Sequence, residues 1–192
     1  MLFRSMLLAA GLANLSPMDI LPYLYYPLAI GVAALLAIFV GKDENGVPRS
    51  AFQRGCQGSY RGDVAGSQKQ YGFLIPAEIE TCDTVEIYEA PIDAMSGATL
   101  RQYKHDSPWR SVHYLALGGL NHQPIDYFLQ QHPEAKRVSL CFDRDDPGRN
   151  FTKIVAKQLA ERGYVVQDAP PAIGKDYNDY LLAARRLISM ER

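Results

Sequence analysis

The sequence predicts an α/β protein, a parallel sheet with helices on both faces, preceded by a small antiparallel β module. Three observations carry this. From residue 84 onward, short apolar runs alternate with stretches of helical periodicity. Two of the runs, Val85-Glu86-Ile87-Tyr88 and Val138-Ser139-Leu140-Cys141-Phe142, read as buried strands that lead into carboxylates: Glu89 in the first case, Asp143 and Asp145 in the second. Residues 37–76, by contrast, hold short strand-like runs separated by Gly55, Gly58, Gly62 and Gly66.

Residues 1–36 are a separate apolar segment. Ile20 to Val40 contains no charged side chain and so has the length of a membrane span, but Pro22, Pro27 and Gly31 interrupt it and its polar flanks are poorly arranged. No small-residue cleavage site follows a basic start and an apolar core, which argues against a signal peptide. The interruptions argue against a membrane span, and a packed N-terminal helix is the alternative. Residues 37–80 make the β module, with Asp43-Glu44-Asn45-Gly46 as a hairpin turn and Pro76-Ala77-Glu78 leading into a linker.

Residues 81–192 form the main domain. Strands are expected at 84–88, 112–117, 137–142 and 164–167, and helices at about 91–103, 123–131, 148–162 and 177–190. Ile154, Val155 and Leu159, and Leu181, Leu182 and Leu187, read as core stripes at helical spacing. In a parallel sheet, Glu89, Asp143 and Asp145 gather at the carboxyl edge, where open α/β sheets bind ligands.

Crowding gives these residues their meaning. Carboxylates about 4 Å apart repel by roughly 4 kcal/mol per pair at an effective dielectric near 20, so Glu89, Asp93, Asp143 and Asp145 together require a compensating cation. All-oxygen ligands suit a hard divalent ion, and Mg2+ characteristically takes one or two carboxylates and completes its octahedron with water and substrate phosphates. The chemistry indicated is metal-assisted phosphoryl transfer. An ordinary turn and helix cap would use Asp145-Asp146-Pro147-Gly148 in the same way, so that motif alone does not separate the readings. A calcium loop of the EF-hand type is excluded, because its fifth and twelfth positions would be Pro147 and Ile154.

Glu89 with Asp93 four residues later, Asp143-Arg144-Asp145 with Gly148 three residues beyond, and Lys175-Asp176 resemble the Toprim domain shared by bacterial-type primases, topoisomerases and some nucleases, over about residues 83 to 188. Glu89-Ala-Pro-Ile-Asp93-Ala-Met-Ser96 is most similar to primase-like Toprim proteins of plasmids and other mobile elements. In those proteins a small domain precedes the Toprim fold, and Phe39 to Arg49, Arg61 to Ser67 and Tyr71-Gly-Phe73 resemble it. The resemblance implies a Rossmann-like sheet, with Glu89 as catalytic acid/base or metal-facing carboxylate and Asp143 and Asp145 as ligands of Mg2+ or Mn2+. Asp93, Lys175, Asp176 and Gly148 would support them. It implies DNA or RNA as substrate, a helicase or relaxase of the same element as partner, and a cytoplasmic setting. Ala90, Arg144 and Asn178 stand where primases carry Gly, Gly and Asp; the metal-binding carboxylates are retained, and the departures bear on primer synthesis. The likeness stops before about residue 37, so a truncation or shifted reading frame is a further account of the opening segment.

Two alternatives stay open. One is a catalytically silent module that binds nucleic acid or a partner. The other is a receiver-type phosphoacceptor domain, which also places an acid, an Asp and a Lys at successive strand ends; Asp145 beside Asp143 speaks against its lone acceptor. Composition narrows the field further. With 20 Lys and Arg against 21 Asp and Glu, the net charge of −1 excludes binding to nucleic acid by bulk positive charge. Arg49, Arg54, Arg61 and Lys69 nevertheless face only Asp63 across residues 49–71, which makes Arg54, Arg61 and Lys69 candidate phosphate contacts. Cys56, Cys82 and Cys141 show no C-x-x-C spacing, and His105, His113, His122 and His132 none of the spacing of a metal site. Only His122, at a predicted strand end, is placed to approach a substrate.

Overall fold

The computed structural model describes residues 36–56, 58–79, 81–103 and 108–190. The apolar opening segment, and with it the expected N-terminal helix, lies outside the described residues, as does His105. No helix among the described residues is long and apolar enough to cross a membrane. Contacts divide the chain into two compact units: Gln53–Gly62 belongs to one, and Phe39–Phe52 with Asp63 onward to the other.

Strands β1 (Leu36–Lys42), β2 (Pro48–Gly55) and β3 (Arg61–Asp63) form a three-stranded antiparallel sheet in that order. Asp43 builds the expected turn between β1 and β2: its Oδ1 accepts from the Asn45 and Val47 N–H groups at 3.0 and 2.9 Å, and its Oδ2 pairs with Arg49 Nε at 2.7 Å. Phe73–Ile75, read from the sequence with this module, is instead β4 of the main sheet. It pairs antiparallel with β6, Phe73 opposite Ala116.

The main sheet comprises β4, β5 (Thr84–Tyr88), β6 (His113–Ala116), β7 (Arg137–Leu140) and β8 (Val165–Asp168), in the order β4-β6-β5-β7-β8. Beyond β4 every pairing is parallel. Helices α1 (Pro91–Tyr103), α2 (Gln123–Gln131), α3 (Asp146–Glu161) and α4 (Tyr177–Met190) alternate with the strands, within one or two residues of the expected bounds. A 3-10 turn at Trp109–Ser111, without a distinct local pattern, precedes β6.

The two faces of the sheet bury different chemistry. Val85, Ile87, Leu115, Val138 and Leu140 point to one face and pack with Ile125, Phe128 and Leu129 of α2 and Val155 and Leu159 of α3. Tyr88, Tyr114, Ala116 and Cys141 point to the other, against Ala94 and Ala98 of α1 and Tyr177 of α4. Gly97 lets α1 close on that face, because a Cβ there would collide with the Tyr88 hydroxyl. The expected core stripes are narrower than read. Ile154 is exposed on α3, and Leu182 and Leu187 on α4, whose main helical contact is α1, so only part of its circumference is covered.

The connections fix where a ligand can sit. From β5 the chain passes through α1 to β6 on one side; from β6 it returns through α2 to β7 on the other side of β5. Helices α1 and α3, which follow the adjacent strands β5 and β7, therefore leave from opposite faces. The carboxyl ends of β5 and β7 border the crevice that such a switch opens.

Candidate functional site

Glu89 and Asp143 emerge at this crevice because β5 and β7 are in register. Ile87 pairs with Leu140, and Cys141 N–H donates to the Ile87 carbonyl at 2.8 Å. The Glu89 carbonyl accepts from the Gly118 and Gly119 N–H groups at 2.9 and 3.0 Å, which holds the strand end against the loop after β6. Asp93 follows in the first turn of α1 and is only 7% exposed. Its Oδ1 accepts from Asn178 N–H at 3.2 Å, tying α1 to the start of α4.

The β7–α3 loop carries the other two carboxylates. Asp143 is buried. Asp145 caps α3, its Oδ1 accepting from Gly148 N–H at 2.9 Å. The cap reading of this motif is thus correct, and it coexists with a second contact: Lys175 Nζ stands 3.1 Å from Asp145 Oδ2 and 3.4 Å from Asp143 Oδ2. Gly148 is required because a Cβ there would press on the Asp143 carbonyl. Asp176 turns toward α4, its Oδ1 accepting from Asp179 N–H at 2.7 Å.

Titration reflects the crowding. Burial, then the charge of Asp176, pushes the Asp93 carboxyl up to about 7, with Asp143 and Glu89 adding to the rise. Burial also raises Asp143, against the pull of Lys175. Asp145, facing the Gly148 N–H and the Lys175 ammonium, is held below the ordinary carboxylate range. The repulsion expected from the sequence is therefore relieved within the chain by three devices: the lysine, the start of α3, and retention of a proton on Asp93.

Arg149 is the residue whose part the sequence reading missed. It pairs with both Asp168 carboxylate oxygens at 2.8 and 3.0 Å, and donates to the Asp143 and Phe142 carbonyls at 3.2 and 3.3 Å and to Thr152 Oγ1 at 2.8 Å. It thereby clamps the backbone of the aspartate loop to the end of β8. Its place four residues after the α3 cap was a visible signal; the partner Asp168 on another strand was not. Arg144, at the position read as a departure, donates its N–H to the Lys175 carbonyl at 2.8 Å and its guanidinium to the Ala172 carbonyl at 3.4 Å, so it joins the two loops that bear the site.

Arg54 and Arg61 are exposed and fall in the Gln53–Gly62 unit, whereas Lys69 falls in the larger one and is paired with Asp63. His122 is exposed at the start of α2, 4.0 Å from Asp126. His113, His132 and Glu134 gather near the amino edge of the sheet, with candidate ligand atoms within 4.8 Å of one another. This trio does not fit a metal. Ala77 N–H donates to His113 Nδ1 at 3.1 Å, which leaves the proton of the neutral ring on Nε2, whereas a ligating imidazole donates its second nitrogen outward. His132 in turn stacks on Phe128 and reaches Glu134 at 3.0 Å, an ordinary hydrogen-bonded cluster.

The donor set at the carboxyl edge does fit a hard ion. Asp143 and Asp145 present oxygens to one shared cation position, and Glu89 ends the neighbouring strand. Comparison with known proteins bears on the same region. A family model described as Toprim-like matches residues 86–181, half of the chain. It begins downstream of the segment read as the small domain. No curated protein matches the sequence. Among solved structures, the primase fragment of the bacteriophage T7 primase-helicase superposes with a TM-score of 0.56 at 18% identity, covering 80% of this chain and 60% of that one. The Escherichia coli primase catalytic core gives 0.55 at 15% identity, covering 78% and 48%. The Aquifex aeolicus primase, comprising zinc-binding and RNA polymerase domains, gives 0.53 at 18%, covering 81% and 40%. At these identities the likeness is one of fold, and the chain spans 60% or less of each of the three.

Proposed function

The chain belongs to the Toprim-like family, and on that premise we propose that it carries out metal-dependent phosphoryl transfer on nucleic acid as a primase-like protein of a mobile element. The observation that carries the proposal is the pair Asp143 and Asp145, held by the α3 cap and the Arg149 clamp at the crevice beside Glu89. Family membership sets the receiver-type alternative aside.

Asp143 and Asp145 would hold Mg2+ or Mn2+. When bound, that ion supplies charge neutralisation of a phosphate and of the oxygen displaced from it. The chain's own residues do the rest. Glu89, at the end of the adjacent strand, would take up the proton of the attacking hydroxyl. Asp93 keeps the starts of α1 and α4 together by accepting from Asn178 N–H. Arg54, Arg61 and Lys69 would contact the phosphates of DNA or RNA. A helicase or relaxase of the same element is the proposed partner, and the cytoplasm the proposed compartment.

A second reading, a catalytically silent module that binds nucleic acid or a partner, draws on the bridging of Asp143 and Asp145 by Lys175. One experiment separates the two. The protein is incubated with labelled single-stranded and duplex DNA and Mn2+, with and without ribonucleotides, beside D143N/D145N. Extension or cleavage lost in the double variant supports the enzyme; binding without either product supports the silent module.

A further inference from the structure

Lys175 is placed where the proposed ion would sit. Its ammonium contacts Asp145 Oδ2 at 3.1 Å and Asp143 Oδ2 at 3.4 Å, so one cation already bridges both carboxylates. An ammonium donates to the same lone pairs that a divalent ion must coordinate, so the two compete for those oxygens. The backbone of Lys175 is fixed independently of its head group. Its N–H donates to Asp179 Oδ2 at 3.1 Å, and its carbonyl accepts from Arg144 N–H at 2.8 Å. The side chain is half exposed on a flexible four-carbon stem, so the head can leave while the loop stays.

We propose that Lys175 is an exchangeable counter-ion: it neutralises Asp143 and Asp145 until a divalent ion takes its place, and the released ammonium then binds a substrate phosphate at the same edge. The inference rests on the metal reading of this site. The charges give it direction. Once an ion satisfies the aspartates, the ammonium gains little from remaining beside a second cation, and the anion brought within its reach is the phosphate that completes the ion's coordination. A compact ammonium serves as a point charge for phosphate and needs no fixed fork geometry.

Calorimetric titration of the full chain with Mn2+ tests the exchange, using wild type, K175M, K175R and D143N/D145N. K175M is expected to bind Mn2+ about fivefold more tightly than wild type, equivalent to about 1 kcal/mol, the combined scale of two partly exposed ion pairs. K175R keeps the cation and stays near wild type. In saturating Mn2+, tripolyphosphate binding falls in K175M and is retained in K175R. Circular dichroism establishes that each variant is folded, and the metal-free melting temperature of K175M should fall while its gain on adding Mn2+ grows. Mn2+ binding by K175M no tighter than by wild type overturns the exchange, and unchanged tripolyphosphate binding overturns the phosphate role. Mn2+ binding that is absent throughout, or unaffected by D143N/D145N, overturns the metal reading itself.

Discussion

Replacing Asp93 by asparagine tests whether burial, together with the neighbouring carboxylates, holds this carboxyl protonated. Asp93 is 7% exposed, and burial together with Asp176 raises its carboxyl from 3.8 to about 7. The folded protein therefore keeps a proton that the unfolded chain releases above about pH 4. Stability associated with the protonated side chain is complete below pH 3.8 and falls as the pH climbs to about 7; above that it is flat. At 1.36 kcal/mol per unit, the ionised carboxylate costs about 4 kcal/mol above pH 7, an upper value because water and side chains relax around the charge. The amide side chain of D93N would keep the acceptor for Asn178 N–H and remove the titration. In urea denaturation with EDTA present, D93N should match wild type near pH 4 and exceed its stability at pH 8 by up to about 4 kcal/mol. Mn2+ should narrow the gap at pH 8, since a nearby divalent ion favours the ionised form. A variant equally destabilised at both pH values would refute the reasoning and make Asp93 an ordinary hydrogen-bonding residue.

Four further outcomes are expected. Mn2+ or Mg2+ should raise the stability of the wild type by about 2.7 kcal/mol at one hundred times Kd, measured by thermal melts, and should leave D143N/D145N unchanged. E89Q should fold and bind metal normally while the chemical step slows roughly 100- to 10,000-fold in single-turnover assays; an active E89Q protein would place the proton transfer elsewhere. Removing Arg54 and Arg61 should flatten the salt dependence of single-stranded DNA binding by about 0.7 in log-log slope per lost phosphate contact, and an unchanged slope would mean that these arginines are only solvated. R149M should cost about 1–3 kcal/mol in denaturant titrations, because it frees Asp168 and two carbonyls of the aspartate loop; a neutral change would mean that the clamp does not hold the loop.

What could be read from the residues alone was whatever local periodicity and strand ends encode. Val85 and Ile87, and Val138 and Leu140, announce buried strands because apolar runs of that length, bounded by loop residues, have few other solutions. Helical spacing and the cap at Asp145 place α1 to α4 within a residue or two, and parallel strands then bring Glu89, Asp143 and Asp145 to one edge. The need for a cation came from the same source, since it follows from charge and proximity.

The tertiary structure decided what depends on partners distant in the chain. Three residues at Phe73–Ile75 contain too little pattern to name a sheet, and their pairing with Tyr114–Ala116 is a contact across some forty positions. The depth of Asp93, the clamp from Arg149 to Asp168 and the tautomer of His113 are likewise set by groups brought close only on folding. The cation beside Asp143 and Asp145 is the sharpest case. Electrostatics demands a positive charge there, but the demand does not name its source, an ammonium from residue 175 or a divalent ion. Only the path of the β8–α4 loop puts Lys175 within 3.1 Å of Asp145.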